Sequence, residues 1–410
     1  MYAFVDKQSS ARLSVLLLLS GVMFLARTIS LMLTPLLIAL AAEFHISTAV
    51  AGQLATATYI TWGLVAPLVG PISDTYGRRP VALLGLSLMA LGILGSVLAW
   101  NYESLFACRL LTGMGGAMAP PNSMAAISDH FPAAQRGRAI GWLFGSGWLG
   151  AVLGVPAVGL LATIGGWRLP LYALVVLILV VWGLLWVWFP PTPYRSKPSI
   201  DFLARFSELG REAGLWPVLM TNILQQIAFF ALFTYLAAYL VQTYRMPAGT
   251  IALVLALVGL GAMLGSVIGG RLAGYPQRLP LIAMSLLGGG LLGGVALSIE
   301  ASVWATVGLL GLFSILISLG MPVLMTLMTE IAGRSRATAI GLFGASNQVG
   351  GVGGASLGGI LLSLGGFPLV GLLCLSAAVA AAVVVHLKVR DSMEFKQRTL
   401  YHLGSEDGGH

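Results

Sequence analysis

Charged side chains and cysteines are both scarce in this sequence. Of its 410 residues, 9% are Asp, Glu, Lys or Arg, whereas 58% are hydrophobic. A soluble globular domain has about 25% charged residues, so this composition excludes a soluble protein. The two cysteines, Cys108 and Cys374, both lie within apolar runs and do not form a disulfide framework.

Motifs for nucleotide hydrolysis, cofactor binding and metal binding are also missing. The sequence has no Walker lysine motif and no cluster of metal ligands. Strings that fit a dinucleotide motif at 288–293 and a nucleophile motif at 354–358 lie in apolar runs and not in α/β units. We therefore expect no ATP-driven pump, no enzyme, no cofactor and no metal site.

Long apolar runs fill most of the chain. An α-helix needs about 20 mainly apolar residues to cross the hydrocarbon core of a bilayer. Runs of this length lie at 13–40, 49–71, 80–100, 104–128, 138–163, 169–190, 216–242, 250–270, 279–299, 302–328, 337–364 and 367–387. The first run is about twice as long as the apolar core of a signal peptide, so we interpret it as an uncleaved membrane helix.

The basic residues are distributed unevenly between the two sides of these runs. With both termini on one side, Arg168 and Arg245 fall in external loops and Arg27 and Arg109 lie within runs. Every other Lys and Arg falls on the side of the termini. Cytoplasmic loops carry this excess, so we predict a multi-pass protein of the cell (inner) membrane with both termini in the cytoplasm. The net charge of +8 then reflects topology and not nucleic-acid binding.

A tight charged turn separates the second and third runs. It spans residues 70–79 and reads Gly-Pro-Ile-Ser-Asp-Thr-Tyr-Gly-Arg-Arg. Charge at such a place costs free energy unless it is paired or reaches water. The turn resembles the loop between helices 2 and 3 of the major facilitator superfamily, whose pattern is Gly-x-Leu-Ala/Ser-Asp-basic-x-Gly-Arg-basic. Here Thr75 stands in place of the first basic residue.

The two halves of the chain resemble each other when the sequence is shifted by 200 residues. Residues 136–141 then align with 336–341 in a register that holds for about thirty residues. Two parallel six-helix halves around a substrate site are the plan of the major facilitator fold, so we predict an all-α membrane protein with twelve helices. A central linker with apolar residues at helical spacing favours an amphipathic helix over a disordered connection. The predicted halves, linker and tail lie at 1–190, 216–388, 191–215 and 389–410.

The same resemblance implies a gating device at the inner face. Asp74, Arg78, Arg79 and Asp129 would form a charge relay that holds helices 2, 3 and 4 together. In the family the acid of the turn also approaches the start of helix 11, here near 336–339, when the inner side is closed. A carboxylate at a helix N-terminus would bias the protein towards its outward-facing state. The alternative is a plain cluster of charges that sets topology.

Two arginines lie within the predicted helices, where a charge costs about 3 kcal/mol or more. Arg27 is near the middle of the first helix. Arg109 begins Arg-Leu-Leu-Thr-Gly-Met-Gly, which resembles the Arg-x-x-x-Gly-x-Gly signature of drug:proton antiporters and links this arginine to proton coupling. The alternative for both is an arginine satisfied by backbone carbonyls. No acid lies in the middle of a helix, so Asp129 and Glu330 at helix ends are the candidate proton carriers.

Amide and aromatic side chains within the apolar runs are candidates for a substrate cavity. Amides in apolar helices need partners, which either a neighbouring helix or a substrate can supply. Asn222 and Gln226 are four residues apart and so share one face of a helix. The candidate substrate-binding residues are Arg27, Tyr59, Arg109, Asn222, Gln226, Asn347 and Gln348. An adaptable apolar wall, which ordinary packing explains more simply, comes from Trp142, Trp148, Met321 and Met325.

These observations favour a secondary active transporter that exports a small drug-like, sugar-like or metabolite compound by alternating access, coupled to protons. The segment 150–159 resembles an antiporter motif with its proline one place late and its last glycine absent, as in the sugar-efflux-like branch, and helix packing alone explains it equally well. An organic-anion transporter, with Arg27 and Arg109 binding a carboxylate or phosphate, is the main alternative. A lipid flippase of the same fold, a membrane sensor and an intramembrane enzyme are further hypotheses. The expected partners are the lipid bilayer and a small solute, and we expect a monomer.

Overall fold

The computed structural model describes residues 2–190, 211–212, 214–299, 302–332 and 336–389. Within these ranges every regular element is a helix. Most of the predicted linker at 191–215, with its amphipathic helix, and nearly all of the predicted tail at 389–410 lie outside the described residues.

The first half of the chain forms six membrane spans, which we number 1 to 6. Span 4 is interrupted at Met118, where Pro120 and Pro121 follow and cannot donate backbone hydrogen bonds. Span 5 contains a wide π-helical turn just before Pro156. In order, the spans are Tyr2–Leu31 with Leu33–Glu43, Thr48–Tyr76, Arg78–Val97, Tyr102–Ala117 with Ala119–His130, Ala133–Leu149 with Gly150–Gly154 and Val155–Gly165, and Arg168–Trp188.

The second half forms spans 7 to 12. Spans 7 to 10 are Leu215–Tyr244, Ala248–Leu272, Arg278–Ser298 and Val303–Ile331. Spans 11 and 12 follow one another in Arg336–Lys388, where the helical backbone breaks at Gly365 and Gly366. Gly366 has a φ of 72°, and Gly166 has a φ of 70° at the matching position between spans 5 and 6. The repeat in the sequence is therefore also a repeat in the backbone.

Spans 11 and 12 fold back on each other. A straight helix would place Gly354 and Cys374 about 30 Å apart. A Cβ added to Gly354 would nevertheless lie 2.7 Å from the backbone nitrogen of Ala231, and Cys374 Sγ lies 3.3 Å from the carbonyl oxygen of Ala228. Both segments thus contact the same turn of span 7, so the chain reverses between them.

Ten of the described helices are long and apolar enough to cross a membrane. One of the ten, Ala339–Lys388, contains spans 11 and 12 together. Span 4 is not among them, because its break leaves two helices of 16 and 12 residues. The ten helices become eleven spans when Ala339–Lys388 is counted as spans 11 and 12, and span 4 is the twelfth. The number of crossings therefore agrees with the twelve apolar runs.

The charged segment at 70–79 is mostly a helix end and not an extended turn. Span 2 continues through Asp74 to Tyr76, and span 3 begins at Arg78. Gly77 alone separates them, with a φ of 91°, in a region that favours glycine. Asp74 is therefore held in the last helical turn of span 2, four residues before Arg78.

Spans 8 and 10 pack closely through glycines four residues apart. A Cβ added to Gly265 would overlap the carbonyl oxygen of Ile315, and one added to Gly269 would overlap that of Leu319. Lipid tails are as apolar as helix side chains, so helix pairs in a membrane depend on such close backbone packing.

Replacing Gly265 by alanine should destabilise the bundle, because its Cβ has no space against span 10. We expect Gly265→Ala to cost about 1–3 kcal/mol and to lower the midpoint of thermal unfolding of the purified protein. Gly270→Ala is the matched control on the same span, since nothing lies within 4 Å of a Cβ there. Equal midpoints for the two variants would contradict the packing described above.

Candidate functional site

A large cavity lies between the two halves of the bundle. Its volume is about 1760 Å³, and its described lining comes from spans 1, 2, 4, 5, 7, 8, 10 and 11, with Arg78 at the start of span 3. The exposed residues Asp74, Ser128 and Asp129 line one end, which we call the open end. Asp74 and Asp129 are the only acids in this described lining. The space exceeds that of a typical small-molecule site.

The two halves meet at the opposite end of the cavity. Thr56 Oγ1 on span 2 lies 2.9 Å from Ser356 Oγ on span 11, and the Gln53 amide donates to the Ser356 carbonyl at 3.4 Å. Further along the same two spans, a Cβ added to Gly63 would lie 3.2 Å from Cβ of Gln348. These contacts close the cavity on the side away from Asp74.

Arg27 lies on the cavity wall, far from the open end. Its Cζ is 4.9 Å from the ring centroid of Trp148, which is a cation–π distance. One turn away, Ser30 accepts a hydrogen bond of 3.0 Å from Tyr59, and Tyr59 is about 22 Å along span 2 from Asp74. Among the described residues, no carboxylate pairs with Arg27.

Amide side chains on spans 7 and 11 form another part of the wall. Asn347 Oδ1 accepts hydrogen bonds from Asn222 at 2.7 Å and from Gln226 at 3.3 Å. Gln226, Asn347 and Gln348 line the cavity, whereas Asn222 is fully buried outside the lining. Asn222 also donates to Ser346 Oγ at 2.7 Å. Its amide therefore joins the two spans, while the other three side chains face the cavity.

Tyr59 and Arg109 lie behind the cavity wall, and neither belongs to its lining. Tyr59 is 2% exposed, and its ring centroid is 4.8 Å from that of Phe230. Arg109 is 1% exposed, and its three guanidinium nitrogens find no hydrogen-bond partner within the described part of the chain. Of the two intramembrane arginines, Arg27 is therefore the one that can meet a solute in this conformation.

A charge cluster joins spans 2, 3 and 4 at the open end. Arg78 contacts the carboxylate of Asp74 at 2.5 Å and that of Asp129 at 2.9 Å. Arg79 lies apart from this cluster, with its Cζ 5.2 Å from the ring centroid of Trp186 and a hydrogen bond to the Trp186 carbonyl. Three of the four predicted relay residues thus lie together, and Arg79 contacts span 6.

The second half has its own buried ion pair, which sequence reasoning missed. The two terminal nitrogens of Arg278 donate to the two carboxylate oxygens of Glu330, at 3.0 and 2.7 Å, and Arg278 is fully buried. Arg278 is Arg78 shifted by 200 residues, so the repeat itself could have identified it. Glu330, a candidate proton carrier, lies in this pair and outside the described cavity lining.

Gln225 is a further cavity residue that the sequence did not single out. Its Nε2 donates to the carbonyl oxygen of Ile317 at 2.7 Å, which ties span 7 to span 10. The signal that could have found it is its position beside Gln226 and near Asn222 in one apolar run. The cavity is also lined by the four residues Trp142, Trp148, Met321 and Met325.

Twelve crossings in two similar halves, around a central cavity open at one end, define a multi-pass membrane transporter. The family model described as Major Facilitator Superfamily matches residues 16–299, which is more than half of the chain. The chain belongs to the major facilitator superfamily. It is a transporter and not an enzyme, as the sequence predicts.

Known proteins resemble the chain over most of its length. The uncharacterized MFS-type transporter YceJ of Bacillus subtilis (strain 168) is 27% identical over 346 residues, or 83% of this chain and 87% of that protein. The 3-(3-hydroxy-phenyl)propionate transporter of Escherichia coli (strain K12) is 27% identical over 310 residues, which cover 72% of this chain and 73% of that protein. The fold also resembles a crystal structure of a bacterial homolog to the human lysosomal transporter Spinster, in an inward-facing and unoccupied conformation. The TM-score is 0.71 at 17% sequence identity, and the match covers 93% of this chain and 95% of that chain. That structure shares the fold alone.

Breaking the Arg278–Glu330 pair should destabilise the protein far more than breaking an exposed pair. Glu330→Gln removes the carboxylate charge that pairs with both terminal nitrogens of the buried Arg278, and we expect a loss of about 2 kcal/mol or more. The matched control is Glu43→Gln, whose partner Arg168 is 39% exposed in its side chain; surface pairs contribute about 1 kcal/mol or less. Thermal unfolding of both variants checks this, and equal losses would contradict it.

Proposed function

We propose that this chain is a secondary active transporter of a small organic anion, whose carboxylate or phosphate binds Arg27. The observation that carries the proposal is the place of Arg27, on the cavity wall and without an acid partner in the described ranges. A guanidinium inside a membrane is stabilised by water or by a counter-charge, and an anionic solute supplies the second. Arg109 does not line the cavity, so Arg27 is the arginine that binds the anion.

The remainder of the wall suits a solute with an aromatic ring. Rings and thioethers adapt to aromatic solutes through stacked and edge contacts. The lining supplies Trp62, Trp142, Trp148, Phe229, Phe230, Met321 and Met325. A carboxylate with an aromatic ring is also what the name of the Escherichia coli relative, a 3-(3-hydroxy-phenyl)propionate transporter, describes.

Proton-coupled export of a drug-like compound is the second candidate function. It is favoured by Asp74 and Asp129, the acids of the described lining, which lie at the open end where water can exchange protons with them. A cationic drug passing these acids would then be repelled by Arg27, whereas an anion would be attracted to it. The geometry therefore favours the organic anion, with protons as the proposed coupling ion in both cases.

We also propose that the open end faces the cytoplasm and that Asp74 is part of a gate there. The excess of basic residues on that side supports the orientation. With the cavity open, the Asp74 side chain is 62% exposed, so it can reach the start of span 11 when the halves close. A carboxylate at a helix N-terminus contributes about 0.3–1 kcal/mol, which biases the two conformations by about two- to fivefold.

Removing the charge of Asp74 should favour the open conformation. In a chain with Cys108 and Cys374 replaced by alanine, Gly141→Cys places a reporter thiol in the cavity lining, where a Cβ has open space. We expect Asp74→Asn to raise the rate of maleimide labelling by about two- to fivefold. Glu103→Gln, which removes an acid from the first turn of span 4, is the control. An unchanged rate in Asp74→Asn would exclude the gate.

Transport should depend on the charge of the solute and on Arg27. We compare 3-phenylpropionate, 3-phenylpropan-1-ol and 3-phenylpropylamine, which share one skeleton and differ in charge, in proteoliposomes with an imposed pH gradient. Saturable, protein-dependent flux is expected for the carboxylate alone. Arg27→Ala should lower its apparent affinity at least tenfold, because a charge-assisted hydrogen bond contributes about 1.5–3 kcal/mol.

Arg168→Ala is the matched control, since it removes an arginine that does not line the cavity. Flux of the amine against counter-moving protons, with none of the carboxylate, would replace the anion proposal by the second candidate function. Carboxylate flux that is equal in the wild type and in Arg27→Ala would remove Arg27 from the site.

A further inference from the structure

The shift of 200 residues allows the two walls of the cavity to be compared position by position, and they differ. Trp148 of the first half corresponds to Gln348 of the second, and both line the cavity. Arg27 corresponds to Ile227, which is not part of the described lining. The first half therefore presents a cation and an indole, whereas the second presents an uncharged amide in place of the indole and no cation at the counterpart of Arg27. A solute between the halves meets a different chemistry on each side.

Hydrogen-bonding groups beside the cavity are left unpaired in the second half. Gln225 Oε1, Ser266 Oγ and Gln348 Oε1 are buried atoms of lining residues with no hydrogen-bond partner in the described chain. The Gln225 oxygen accepts hydrogen bonds and cannot donate them, and the nitrogen of the same amide already donates to the Ile317 carbonyl. No described lining residue of the first half carries such an atom.

An unpaired buried polar atom costs about 1–3 kcal/mol, and a solute that supplies the missing partner removes this cost. Gln348 is the best placed of the three residues for such a solute. It is the positional counterpart of Trp148, the ring on which Arg27 rests, and it follows Asn347 on the same wall. The uncharged end of a solute bound to Arg27 would therefore face this amide.

We infer that the solute is an aromatic carboxylate with a ring hydroxyl, held by its carboxylate on Arg27 and by its hydroxyl on Gln348. A hydroxyl both donates and accepts, so it can pair with the Gln348 oxygen or with its amide nitrogen. Such a solute contacts one half through its charge and the other through its hydroxyl. This inference rests on the proposed function, because it requires that Arg27 binds an anion.

Binding of 3-phenylpropionate and of its three ring-hydroxylated isomers to the purified full chain, measured by calorimetry, tests the inference. We expect at least one hydroxylated isomer to bind about fivefold tighter than 3-phenylpropionate, from a net contribution of about 1 kcal/mol per hydrogen bond. Gln348→Leu should remove this preference, so that the hydroxylated isomers bind the variant no tighter than 3-phenylpropionate does. A thermal unfolding midpoint equal to that of the wild type shows that the variant is folded, and Gln348→Met is the second variant.

Two results would overturn the inference in distinguishable ways. If the carboxylates bind through Arg27, as shown by weaker binding to Arg27→Ala, but no isomer is preferred or the preference persists in both Gln348 variants, the hydroxyl contact is wrong. The proposed function then stands. If no carboxylate binds, or if Arg27→Ala binds as well as the wild type, the proposed function fails and the inference fails with it.

Discussion

The inability of the bilayer core to solvate charge is the constraint on which the rest of this structure depends. Without water, a charged side chain is stabilised by a counter-charge, a helix end or a wet cavity, and Arg109 is the one described intramembrane arginine that lies buried away from the cavity. Arg78 lies between two carboxylates at a helix end, and the buried Arg278 is matched by both oxygens of Glu330. Arg27 faces the cavity with no acid partner in the described residues, and it is there that a solute can complete the electrostatics.

The two halves of the repeat are alike at the helix ends and differ at the cavity. At the helix ends the repeat reproduces the same device, an arginine at the start of the third helix of each half paired with a carboxylate at the end of the fourth. At the cavity it is broken, since Trp148 corresponds to Gln348 and the counterpart of Arg27, Ile227, does not belong to the described lining.

Much of the fold could be predicted, because its signals are local or repeated. The prediction of an all-α transporter of the major facilitator superfamily with twelve crossings is confirmed. Proton coupling, export and a monomeric state stay predictions. Arg278 was missed because residues 270–279, which the shift of 200 aligns with the charged turn, have Gly274 in place of Asp74 and Gln277 in place of Gly77, so only the register points to it.

The sequence by itself determined the number of crossings, because bilayer thickness sets helix length, and the likeness of the two halves, because the 200-residue repeat is visible in the chain. Only the tertiary structure decided which polar side chains face the cavity. Arg27 lines it and Arg109 does not, and Gln226 lines it while Asn222, one turn away, does not. A membrane helix is apolar on nearly every face, so its pattern carries little information on its rotation, which packing against neighbouring helices sets.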